Sequence, residues 1–69
     1  MGIESLWVVR AKQSVVKCVL QVDATWSELL ILQDQDVTTR EVFQDPEMAR
    51  ARARALRERL IEKGWRDAS

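Results

Sequence analysis

Arg50, Arg54 and Arg57 recur at i, i+4 and i+7, the spacing that sets side chains on one ridge of an α-helix. Such a ridge would follow nucleic-acid phosphates through charge, a mode of binding that falls steeply with added salt. Arg52 and Arg59 flank the same helix on its other side. Carboxylates close by in the chain compete for these arginines. Arg54 and Glu58 stand four residues apart and Arg59 and Glu62 three, both spacings at which opposite charges meet on a helix. Residues 1–46 carry a net −3 and residues 47–69 a net +3, so a basic helix on an acidic remainder neutralises itself. The isoelectric point, near 6.2, points the same way. No helix-turn-helix partner, paired aromatic set or zinc-finger spacing accompanies the arginines.

Other candidate groups are sparse. Asp34 and Asp36, with Glu41 and Asp45 nearby, suggest a hard-cation site, but the further oxygen ligands and central glycine of a calcium loop do not follow, and a polar hairpin turn explains them. Cys18 is a nucleophile only where a neighbour lowers its pKa, and its strand position, in phase with Val16 and Leu20, predicts a buried, inert thiol. Trp7, Trp26 and Trp65 could stack on a base or sugar, although tryptophans at such positions serve more often as core or interface anchors. With no His and no Tyr, the chain cannot build a His-dependent triad or a His-ligated zinc site within one subunit. The only glycines are Gly2 and Gly64, which leaves no phosphate-cradling loop. The expectation is a non-enzyme with no catalytic residues, no metal site and no cofactor.

These groups sit on a chain of 69 residues, short enough to form one small domain, residues 1–69, that buries only about 60% of its unfolded surface. Its composition, 46% hydrophobic and 32% charged, is that of a compact folded chain. A single cysteine favours a reducing compartment, and neither a leader pattern nor an apolar run of about 18 residues is visible, so a cytoplasmic protein without membrane contact is expected.

The C-terminal helix is the plainest element. Asp45 caps it, Pro46 suits the first helical position, Glu47 favours the positive end of the dipole, and Gly64 stops it with Trp65 folding back on Leu60, which predicts a helix over 46–63. Its apolar stripe is Ala49, Ala53, Leu56 and Leu60, with Met48 and Gly64 near the borders. The alanine end should lie close to its support, while Leu56, Leu60 and Trp65 fill a wider gap.

Upstream, residues 6–12 and 15–22 are rich in valine and read as a hairpin around Gln13-Ser14, with a longer loop or a bulge allowed because neither residue favours positive φ. Residues 26–33 and 37–44 make two more strands around a turn at Asp34-Gln35-Asp36. A competing reading turns residues 4–20 into a helix with Leu6, Val9, Val16 and Leu20 as a broken stripe; the valine density opposes it. The fold class is therefore α+β, an antiparallel sheet of about four strands in ββββα order with one helix on one face.

Four successive apolar residues, Leu29-Leu30-Ile31-Leu32, point Leu29 and Ile31 one way and Leu30 and Leu32 the other. The first strand does the same with Trp7, Val9 and Ala11 against Leu6 and Val8, and the second with Val16, Cys18, Leu20 and Val22 against Val15 and Val19. Both faces require cover, and one helix covers one. The expectation is self-association through the helix-free face as a homodimer, with Trp26, Leu30 and Leu32 in the interface. A strongly twisted sheet that closes over itself is the alternative.

The stretch 26–65, read as Trp26-Ser27-Glu28-Leu29, a hairpin, Asp45-Pro46-Glu47, a helix and Lys63-Gly64-Trp65, resembles short bacterial proteins of uncharacterised function that share a strand–strand–helix half ending in Gly-Trp. It covers a little over half the chain and departs from that pattern at Gln35, where a turn glycine is expected. The resemblance implies the architecture of this half and no catalytic or ligand residue. Function at this level is a binding or assembly module, with a protein partner or a second copy. The alternative is a small nucleic-acid-binding protein whose phosphate contacts are Arg50, Arg54 and Arg57, and a ligand carrier or small enzyme would need a deep pocket.

Overall fold

A computed structural model describes residues 2–68. Strands β1 (Gly2–Ala11), β2 (Ser14–Val22), β3 (Ser27–Gln33) and β4 (Asp36–Phe43) form an antiparallel sheet in sequential hairpins, and helix α1 (Pro46–Glu62) packs on one face. This is the ββββα arrangement expected from the valine-rich runs and the capped helix. Residues 4–20 lie in the β1–β2 hairpin and not in a helix, as their β-branched side chains favour. A short strand β5 (Arg66–Asp67), absent from the sequence reading, pairs with β1 at Val9 and Arg10 and makes the order β4-β3-β2-β1-β5. Two residues are too few to show a period, and what places them is the helix stop before them.

That stop is a Schellman turn. Gly64 takes φ +106°, its N–H bonds the Ile61 carbonyl at 3.0 Å, and the Trp65 N–H bonds the Leu60 carbonyl at 3.0 Å. The chain thus reverses onto β1, where the Ala68 N–H reaches the Val8 carbonyl at 2.8 Å. At the other end Asp45 accepts from the Glu47 N–H at 2.9 Å and Pro46 holds the first turn.

The hairpin turns correct the sequence in detail. The first falls at Lys12-Gln13, one residue earlier than expected, with Lys12 at φ 54°. The second has Asp34 at φ 51° and Gln35 at φ 77°, left-handed conformations that glycine adopts without cost and that other residues adopt against a penalty. Asp34 offsets part of that penalty: its carboxylate accepts from the Val15 N–H at 2.9 Å and from the Ser14 hydroxyl at 2.8 Å, tying this turn to the start of β2.

The core lies between helix and sheet. Trp7, Val9, Val16, Cys18, Leu20 and Leu29 are buried from the sheet side, against Ala49 and Ala53 from the helix. A bulge between Ser5 and Trp7 adds one residue to β1 and brings Leu6 against this core, so Leu6 does not share the free face with Val8 as strict alternation predicts. Ser27 is buried among these side chains with its hydroxyl unpaired among the described residues.

Candidate interaction surface

Strand register places the helix-free face residue by residue. One row across the sheet is Ser5, Val19, Leu30 and Arg40, and the next is Val8, Lys17, Leu32 and Val37. Alternation sets Val15 on the same side, because Val16 and Cys18 are in the core. Val8, Val15, Val19, Leu30 and Leu32 are each half-buried by their sheet neighbours alone, while Val37 and Val42 keep 49% and 64% of their surface exposed. A second bulge, between Ile31 and Leu32, shifts β4 so that Val37 and not Thr38 stands beside Leu32.

Leu30 and Leu32 therefore lie where alternation predicts, on the face away from α1. Trp26 stands one residue before β3, in the turn where the Asp23 N–H bonds the Trp26 carbonyl at 2.9 Å, and it is half-buried. Sequence reasoning missed Val37, whose place depends on the bulge, and Lys17, which sits between Val8 and Leu32 in the middle of the apolar rows. At the β4 side of the patch Arg40 stands 3.5 Å from Glu28.

The arginine ridge meets a different environment. Arg50 bonds Glu4 at 2.9 Å and Glu47 at 2.7 Å, and its pKa is raised first by the Glu4 hydrogen bond. Arg57 pairs with Asp67 of β5 at 3.3 Å, and Arg52 with Glu41 of β4 at 3.2 Å. Helix and sheet thus neutralise each other through cross-element pairs. The helical spacings Arg54–Glu58 and Arg59–Glu62 close no ion pair among the described residues. Two of the three ridge guanidiniums, those of Arg50 and Arg57, are held by carboxylates.

Candidate chemistry elsewhere is weak. Cys18 is fully buried, and burial pushes its thiol up to about 12, the reverse of nucleophilic activation. The Asp34 carboxyl lies below its ordinary range because the Val15 N–H and the Ser14 hydroxyl favour its charged form. No three Asp, Glu or Cys side chains gather into a candidate metal site among the described residues, and no helix there is long and apolar enough to cross a membrane. Comparison with family models, curated proteins and solved structures gives no match, so the reading of this surface rests on its geometry.

Proposed function

We propose that the protein is a non-enzymatic binding and assembly module that associates with a second copy of itself through the helix-free face of the sheet. The observation that carries this is the run of half-buried Val8, Val15, Val19, Leu30 and Leu32 with no covering element among the described residues, continued by exposed Val37. Full burial of a Val or Leu side chain is worth about 1.5–3 kcal/mol, and these half-buried ones forgo roughly half of that each. Strands about 4.8 Å apart, with residues rising about 3.3 Å each, give a four-stranded face of roughly 450 Å² in projection, so two faces stacked on a two-fold axis bury on the order of 1,000 Å². That reaches the lower bound for a specific interface. Lys17 and the Arg40–Glu28 pair would orient the two copies within it.

Sedimentation at micromolar concentration tests the reading directly. A species of twice the 8.0 kDa monomer mass supports it, and a sharp monomer with cooperative unfolding counts against it. Leu32→Asp dissociates the dimer and leaves the fold, whereas Leu56→Asp, on the helix side, destabilises the chain itself. Global unfolding by both substitutions would place Leu32 in the core and remove the interface. A steep loss of RNA or DNA binding with salt, abolished by Arg54→Gln, would favour the phosphate-contacting alternative.

A further inference from the structure

The helix closes tightly over only half of its length. Ala49 and Ala53 are buried at the sheet, but beyond them an open cleft of about 320 Å³ runs between α1 and the helix-facing side of β3 and β4. Leu56, Leu60 and Trp65, expected to fill this gap, only line it. The far wall explains the vacancy, since β4 offers Thr39 and Glu41 on its helix-facing side where a larger apolar residue would have sealed the space.

The lining has two chemistries. The floor is apolar, with Trp7, Ile31, Leu56 and Trp65, while Arg52 and Arg59 of the helix and Lys63 at its C-cap edge the cleft. Glu41 is the one carboxylate there and is taken up by Arg52 at 3.2 Å. Arg59 and Lys63 have no carboxylate partner among the described residues. A volume at the lower end of the range for small-molecule sites, about 300–1,000 Å³, an apolar floor and two uncompensated cations at one edge define a ligand class.

We infer that this cleft binds a small organic monocarboxylate with an apolar body, its carboxylate at Arg59 and Lys63 and its body against Trp7, Leu56 and Trp65. An inorganic anion would leave the apolar floor unused, and a cation would meet three positive groups against one negative. The site lies on the opposite side of the sheet from the association face and is independent of it.

Two of the three tryptophans line the cleft, so intrinsic fluorescence of the full chain reads occupancy. Octanoate is expected to give a saturable change below about 10 mM, and octylammonium, with the same body and the opposite charge, none. Arg59→Gln with Lys63→Gln weakens octanoate about tenfold or more, whereas Arg54→Gln with Arg66→Gln, which removes two charges outside the cleft, leaves it unchanged. Leu32→Asp also binds octanoate as the parent does. Absence of saturation, equal response to octylammonium, equal weakening by the two double variants, or loss of binding in Leu32→Asp would each overturn the assignment.

Discussion

Trp7 on β1 and Ala53 on α1, 46 residues apart, are joined by a 2.9 Å hydrogen bond from the indole Nε1–H to the main-chain carbonyl. The contact is buried, and it is possible because Ala53 places only a methyl group between the helix backbone and the sheet. The alanine end of the helix thus approaches closely enough for a tryptophan to bond its main chain. Trp7→Phe keeps most of the apolar contact and loses the bond, at a cost of about 2 kcal/mol. Urea denaturation with an unchanged m-value would measure it; no shift of the midpoint would mean the bond contributes nothing net.

Asp34 gives the fold an acid dependence. Its folded-state pKa is lowered, so the stability it contributes is present above the unfolded value near 3.8 and is lost as pH falls through the folded value. Asp34→Asn removes that component, and its stability curve below pH 4 is flatter than the parent's. Parallel curves would show that the Val15 and Ser14 contacts do not favour the carboxylate.

The same turn holds Gln35 at φ 77°. Gln35→Gly relieves the left-handed strain and is expected to raise stability by about 1 kcal/mol, despite the greater freedom glycine gives the unfolded chain. A lowered thermal midpoint would mean that the entropy of the unfolded state outweighs the strain.

Cys18 supplies an alkaline counterpart. Its folded pKa is raised to about 12 from 9.0, so the contribution of the buried neutral thiol is complete below about pH 9 and fades as pH rises toward 12. Cys18→Ala leaves a cavity, whereas Cys18→Val keeps the packing and removes the titration; the Val variant therefore loses less stability between pH 9 and 11 than the parent. In native protein at pH 8, a thiol-specific disulfide reagent is expected to react only as fast as the chain opens. Rapid stoichiometric labelling would contradict the burial.

What the sequence made legible follows from the strength of each local signal. Asp45, Pro46 and Gly64 mark the helix ends within a residue because caps act through main-chain geometry that few side chains satisfy. Alternation assigned Leu30 and Leu32 to the free face because the bulge beside Leu32 puts its extra residue, Thr38, on β4 and leaves β3 itself unbroken. It failed at Leu6 and made no assignment for Val37, each beside a bulge that one sequence does not announce. The cleft was invisible for a further reason. It depends on how Thr39 and Glu41 of one strand stand against Leu56 and Arg59 of a helix, and no spacing along the chain encodes that distance.

The order of pairing has a consequence for how the molecule assembles and opens. Every long strand lies beside its neighbour in the chain, so the sheet accretes as a meander with short loop closures and a rapid search. The lap of Arg66–Asp67 over Val9–Arg10 is the exception, closing across the whole chain through two exposed residues. It is the seam that forms last and parts first, and the main-chain amides there exchange with solvent ahead of those in β2 and β3.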